Sequence, residues 1–467
     1  MAIDRSRVRV AVIGGGIAGV SAAWSLHRSG YPPELFERGP ALGGNAKTFR
    51  WSVDSGEAES PLLVIAWPEK FYHNYHRLLS ELGLGRTSMP ISYFIKHPQG
   101  VFCQDGRSEL HRAHADDFRR WDRLIRVTAR ISDFFLPRNR HESLYHFSYW
   151  NPLNLVPLYS LARAFGISAR FWSEIFVPVH CASMITTSMK DMPAVIAPIL
   201  ENVVPLERPC RMGTWEDSPR HVFERMTEPF RDRVHTSCTI TSVRRSGREF
   251  RIESADGEVF AADQVVFACQ APSILAALEK PGWLERVLLG GVRYVDDIDP
   301  TFSRFVVHSD TSIFPEVDRD RILSEFNTYV EVDEDGHLEC TFVISAQNPA
   351  LKDLGRPMLV TFASRKAIGK VEAQIDLPNA THALNLGNLS RMMLMRLLQA
   401  RRGMHYCGSF TTPEGGHDLS FLSGLVAARS IGAAYPFELD DSPAVADYHQ
   451  MQRIMLGRVL PYLPPGH

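Results

Sequence analysis

Residues 8–19, VRVAVIGGGIAG, decide the fold. Val8, Val10, Val12 and Ile13 make a short β-branched run that reads as a buried strand. Gly14, Gly16 and Gly19 follow in G-x-G-x-x-G spacing, and Ile17 to Leu26 continues as a helix. Glycines there permit a tight turn, let backbone approach a pyrophosphate, and bring helix close to strand, while the helix N-terminus adds partial positive charge. The next apolar run ends in an acid. Glu37 stands 23 residues after Gly14, where a carboxylate accepts both hydroxyl protons of an adenosine ribose. Strand, turn, helix and acid together predict a dinucleotide site around Gly14, Gly16, Ile17, Ala18, Gly19 and Glu37.

The chain's 467 residues are too many for one compact core, and the length predicts two or three domains. Hydrophobic residues make up 45%, charged residues 22%, and the formal charge is -2, so no basic excess favours nucleic acid. Seven cysteines without a CxxC pair predict reduced thiols, with neither a disulfide framework nor a zinc site. His73 and His76 share a helix face but lack carboxylate partners, so no metal site is expected. The N-terminus lacks an apolar signal-peptide region, and no apolar run reaches the roughly 20 residues of a membrane span, which makes the cytoplasm the expected location.

Cofactor-like features return late in the chain. Residues 234–272 alternate as short strands with a Ser-Gly turn and an Asp-Gly hairpin signal, then run into the buried strand Val265 to Ala268. Residues 404–434, MHYCGSFTTPEGGHDLSFLSGLVAARSIGAA, read as a strand, a glycine-rich loop and a helix. The nucleotide-binding domain is therefore expected to be discontinuous.

After the acid comes Glu37-Arg38-Gly39-Pro40-Ala41-Leu42-Gly43-Gly44. This second glycine pair resembles the flavin signature of the FAD-dependent amine oxidase and phytoene desaturase superfamily. Blocks at 43–49, 74–95, 171–194, 304–321 and 407–424 resemble, more narrowly, the NAD/FAD-binding amine-oxidase-like proteins that are similar to the N-terminal part of plant cyclopropane fatty acid synthases. The resemblance implies an α/β fold: a two-dinucleotide-binding-type FAD domain, with a parallel sheet and a β-meander, plus an inserted mixed α+β substrate domain. It assigns 1–95, 205–285 and 386–440 to the FAD domain, 96–204 and 286–385 to the substrate domain, and 441–467 to a C-terminal helical tail. It implies non-covalent FAD held also by Arg38, Gly43, Gly44 and Asn45, with Cys238 or Thr239 near the adenine. Gly408 and Ser409 would lie near the ribityl chain, and Asp418, Leu419 and Leu422 near the isoalloxazine, whose reduced form a helix N-terminus stabilises.

The chain also departs from the superfamily. Asn45 stands where many members carry an arginine on the diphosphate, leaving Lys47 and Arg38 as substitutes. The strand expected to face flavin N5, Phe302 to His308, has no lysine, and Arg304 and His308 are its candidates for that place. Amine oxidation is correspondingly disfavoured. His180 follows Phe176-Val177-Pro178-Val179, and His417 borders the flavin loop; His180, His308 and His417 are the titratable candidates for proton transfer. Phe171, Trp172, Phe176, Met184, Trp215, Phe326 and Tyr329 are candidates for an aromatic pocket wall.

The expected activity is hydride removal from a carbon of a hydrophobic small molecule, a lipid or polyketide-like natural product, with O2 as the simplest acceptor. One alternative is a redox-neutral double-bond isomerase, and another is a non-catalytic FAD-bound protein that binds a partner or lipid. Arg119, Arg123, Arg126 and Arg130, opposite Leu124, Val127, Ile131 and Phe134, form a basic amphipathic helix suited to peripheral membrane contact. The oligomeric state has no signature in the sequence.

Overall fold

A computed structural model describes residues 4–53, 56–104, 106–136, 147–186, 189–347, 351 and 355–462. Its organising element is a five-stranded parallel sheet. In spatial order the strands are Val234–His235, Pro33–Phe36, Val10–Ile13, Gln264–Phe267 and Met404–Tyr406. Val10–Ile13 lies centrally and pairs in parallel with both neighbours, Val12 opposite Leu35 on one side and Val266 on the other. All four of its residues are buried, as a strand covered on both faces requires. The α/β class with a parallel sheet is therefore the observed one, and its strands come from both ends of the chain.

Two helices flank the sheet. Ile17–Arg28 starts at Gly16 and is buried from Ile17 to Leu26, because its small residues bring it against both the sheet and a second helix, His417–Ile431. Ser21 Oγ donates to the Phe421 carbonyl at 2.9 Å where the helices meet. A Cβ on Gly424 would stand 2.0 Å from the Ala18 oxygen, so the crossing is closed by a glycine. Between the sheet strands at 234 and 264 lies the expected meander: Ile240–Ser246, Glu249–Ser254 and Val259–Ala262, paired antiparallel in sequence order.

The second body is built on a seven-stranded mixed sheet. Its order is Val371–Asp376, Arg304–His308, Leu359–Phe362, Leu338–Val343, Thr328–Val332, Tyr93–His97 and Gly100–Cys103. Tyr93–His97 straddles the boundary expected at 95/96, because its pairing with Thr328–Val332 draws it wholly into this sheet. Most of the described residues between 109 and 203 are helical. The C-terminal helix, Pro443–Leu456, is no loose tail. It buries Val445, Tyr448, Met451 and Ile454, and its Ala444 carbonyl accepts from Asn74 Nδ2 at 2.8 Å. The last part of that expected segment, 463–467, lies outside the described residues.

The basic helix spans Ala115–Phe134 and turns Phe118, Trp121 and Leu124 inward. Arg119 and Arg126 pair with Asp116 and Asp122 of the same helix, so acids interrupt the basic face. Of the four residues expected on its apolar side, Leu124 is buried and Val127 and Ile131 are half-buried, which leaves Phe134 exposed. That side therefore mostly packs on the protein itself. No helix among the described residues is long and apolar enough to cross a membrane.

Candidate functional site

The glycine turn is a backbone surface with the side chains removed. Gly14 ends the central strand at φ +117°, and a Cβ there would lie 2.6 Å from the Ala268 oxygen. Gly19 lets the helix seat against that turn, since a Cβ would fall 1.9 Å from the Gly14 carbonyl. Gly44 does the same from across the turn: with φ +55°, its Cβ would meet Gly16 Cα at 2.9 Å. Gly43 N–H donates to the Gly15 carbonyl at 2.9 Å. The second glycine pair thus docks on the first, which is a packing reason for both to be glycine. The helix Ile17–Arg28 has no side-chain cap on its N-terminus, so that end presents bare amides, the arrangement that receives phosphate.

Glu37 sits where Phe36 leaves the sheet. Its carboxylate accepts Gly15 N–H and Gly39 N–H, each at 2.7 Å, and so ties the acid to the glycine turn while it borders the cavity. This cavity encloses about 820 Å³ and runs from Gly14–Ala18, Glu37 and Arg38 past Gly408 and Ser409 to a chamber between the sheets. A volume of this size suits a cofactor or a drug-sized ligand.

The cavity collects most of the expected cofactor residues. Gly14, Gly16, Ile17, Ala18, Glu37, Arg38, Gly43, Gly44, Asn45, Cys238, Thr239, Gly408 and Ser409 line it, as does Lys47. Asn45 spends its Nδ2 on the Ala380 carbonyl at 2.6 Å, joining this loop to the segment after strand Val371–Asp376. Gly19 lies behind the wall. Asp418, Leu419 and Leu422 lie outside the lining: the two leucines are fully buried in the core, and Asp418 Oδ1 accepts Tyr75 N–H at 2.7 Å. Helical geometry explains this, since Gly416, His417 and Ser420 take the cavity side and 418, 419 and 422 point elsewhere.

The three candidate histidines separate. His417 lines the cavity. His180 does not: its ring packs on Phe176 at 4.6 Å, neither ring nitrogen has a partner, and burial pushes its pKa down to about 3. His308 also lies off the wall, in the seven-stranded sheet, where Nε2 meets Thr361 Oγ1 at 2.8 Å and burial lowers its pKa to about 4. The proton-transfer role expected of these two finds no surface to act on. Arg304 is likewise turned out, toward Asp376. Of the six proposed wall aromatics and Met184, only Met184 lines the cavity; the others fill the core.

Other residues occupy the wall instead. Glu414 and His382 border the cavity together with Tyr72, whose hydroxyl accepts His417 N–H at 3.2 Å. Burial raises Glu414 to about 8 and lowers His382 to about 4 and His417 to about 3. Glu414 had a signal in sequence, an acid inside the Pro-Glu-Gly-Gly loop. His382 had none, because it arrives on an irregular segment whose neighbour Thr381 accepts Val295 N–H at 2.9 Å. All seven cysteines are free, and no group of three or more potential metal ligands occurs among the described residues.

The fold is shared with solved structures of oxidases and of a fatty acid isomerase. By sequence, the family described as NAD(P)-binding Rossmann-like domain matches residues 12–82. No curated protein is similar enough in sequence to count as a relative. Among solved structures, putrescine oxidase bound to putrescine superposes with TM-score 0.65 at 16% identity, covering 91% of this chain and 98% of that one. A CLA-producing fatty acid isomerase from P. acnes gives 0.64 at 12%, over 91% and 99%. Cyclohexylamine oxidase from Brevibacterium oxydans gives 0.63 at 12%, over 91% and 98%. At such identities the likeness is one of fold.

Proposed function

We propose that the protein is an FAD-dependent oxidoreductase that removes hydride from a carbon of a hydrophobic small molecule. The observation that carries this reading is the continuity of the cavity: one space joins a dinucleotide cradle to a chamber lined by Ile91, Tyr93, Met184, Ile185, Met212 and Phe342. The fit of the cofactor rests on the cradle itself, where backbone stands in for side chains at Gly14, Gly16 and Gly44. Residues 14–18, Glu37, Arg38 and 43–45 would hold the adenosine and diphosphate, and Gly408 and Ser409 the part nearer the chamber. When bound, FAD supplies a two-electron acceptor for hydride.

The chain's own contribution is enclosure. Apolar walls bind and orient a carbon skeleton and exclude water, the main requirements of hydride chemistry. Neutral His382 and His417 and the protonated Glu414 carboxyl keep the inner wall uncharged near neutral pH.

Two of the solved structures of this fold are named as amine oxidases and one as a fatty acid isomerase. The isomerase favours a second reading, in which hydride is taken and returned to shift a double bond. An anaerobic spectral titration of the purified holoprotein against fatty acids, amines and polyenes tests both. Bleaching of the flavin absorbance identifies an oxidase-type substrate, and product formation without lasting bleaching identifies isomerisation. A protein that stays colourless after reconstitution with FAD overturns the proposal.

A further inference from the structure

Part of the cavity's outer wall is a single thickness of chain. Residues 375–382 line the cavity one after another without a break. Within that stretch Pro378 is exposed, and Leu377, Asn379, Ala380 and Thr381 are half-buried. One side of this strap therefore meets the cavity and the other meets solvent. Residues 377–381 belong to no helix or strand, and Asn379 turns the chain at φ +56°, in the left-handed region that asparagine tolerates. With no ladder of its own, the strap stays in place through the few bonds it makes to its surroundings.

Those bonds are unevenly shared. On one side the strap hangs from residues 293–303: Leu377 N–H donates to the Ser303 carbonyl at 2.7 Å, Asn379 N–H donates to Asp296 Oδ2 at 2.8 Å, and the Thr381 carbonyl accepts Val295 N–H at 2.9 Å. Toward the cradle there is one tie, Asn45 Nδ2 to the Ala380 carbonyl at 2.6 Å. Among the described residues no other hydrogen bond joins residues 377–382 to residues 14–47. Both partners of the tie line the cavity. Asn45 is itself well anchored, because its neighbour Gly44 packs on Gly16 of the glycine turn.

We propose that Asn45 is a positioning residue that latches this strap beside the bound dinucleotide, so that FAD is retained by closure of the wall and leaves when the Asn45–Ala380 bond opens. The proposal rests on the reading of the cavity as an FAD site. A strap held by three bonds on one side and one on the other swings about the richer side, so the single bond is the one that opening must break. That bond is between neutral groups, and its loss shifts an equilibrium by about two- to tenfold. The effect falls on release, since the latch closes only after the cofactor has entered.

The test follows FAD release and strap motion together, without substrate. FAD-loaded parent and Asn45→Leu, which keeps the size of the side chain and adds no charge, are diluted while released flavin is read by fluorescence. Association with apoprotein is read in reverse, and hydrogen–deuterium exchange is measured on peptides covering 377–383. Release from Asn45→Leu should be about five- to tenfold faster, with association within about twofold of the parent. Exchange of the strap peptides should rise while that of residues 13–19 stays unchanged. Pro378→Gly loosens the strap from its exposed side without touching Asn45 and should also speed release, yet add less than about twofold to Asn45→Leu, because sites sharing one element are not additive. Unchanged release from Asn45→Leu overturns the proposal. Faster release without faster strap exchange, or an equal loss in association, places Asn45 on the cofactor or in the fold of the cradle and overturns it too. If Asn45→Leu fails to fold, Pro378→Gly decides: release and strap exchange must both rise, and either one unchanged overturns the latch. A parent protein without flavin overturns the reading of the cavity instead, so the two failures are distinct.

Discussion

Replacing Gly424 with alanine tests whether the two flanking helices are fitted to each other as closely as described. The new methyl carbon would lie 2.0 Å from both the Ala18 oxygen and Ser21 Oγ, against an ordinary contact of 3.4 Å or more. The helices must part by roughly 1.4 Å to admit it, a textural change of the overpacking kind that costs about 1–3 kcal/mol. Parting them also stretches the Ser21 bond to Phe421, worth about 1 kcal/mol. The sum is about 2–4 kcal/mol, and it falls on the helices whose starts border the cavity. Gly30→Ala is the control. Gly30, unlike the helical Gly424, has positive φ, +86°, but nothing lies within 4 Å, so only the backbone cost of about 1 kcal/mol applies. Urea unfolding followed by circular dichroism, with flavin release followed by fluorescence, should rank Gly424→Ala well below Gly30→Ala in midpoint and show early loss of flavin. Equal midpoints would refute the packing argument.

Three further outcomes are expected. Gly14→Ala faces both a positive φ and a contact of 2.6 Å with the Ala268 oxygen, so the protein should purify without flavin while keeping its far-ultraviolet spectrum; a yellow variant would contradict the cradle. Glu37→Gln leaves one of the two amides at Gly15 and Gly39 without an acceptor, which should weaken FAD by roughly ten- to a hundredfold in a release titration, and an unchanged Kd would count against it. His180→Leu removes a buried imidazole whose pKa is about 3 when folded and near its ordinary value when unfolded. The unfolded chain binds that proton first, so the parent loses stability as pH falls below about 6.5. Between pH 7 and pH 5 the variant should lose about 2 kcal/mol less than the parent in urea unfolding, with unaltered flavin binding. Parallel pH profiles would show that His180 titrates normally.

The parallel sheet and glycine turn were legible because their constraints are local: a β-branched run, three glycines and an acid at set spacing. The C-terminal strand and helix were legible for the same reason. Side-chain direction was not. Asp418, Leu419 and Leu422 follow the glycine loop in sequence, yet the helix turns Ser420 to the cavity and those three away. His180 stood in a suggestive block, but its ring points into packing set by Phe176, a tertiary fact. His382 joined the wall through an irregular segment that no periodicity marks. The aromatic residues proposed as wall were core, the commoner fate of such side chains.

The order of strands in the parallel sheet has a consequence for how this protein is made. Its outermost strand, Met404–Tyr406, pairs with Gln264–Phe267, whose other neighbour is Val10–Ile13. During translation the first β-strand, once paired with Pro33–Phe36, therefore waits for its second partner, Gln264–Phe267, encoded far downstream, and that strand in turn waits for Met404–Tyr406, with a second sheet and most of the helices emerging in between. Long-range pairing of this sort is slow and leaves apolar edges uncovered meanwhile. Nascent chains stalled before residue 404 should remain protease-sensitive and chaperone-bound throughout, so that maturation occurs as one late event near release from the ribosome.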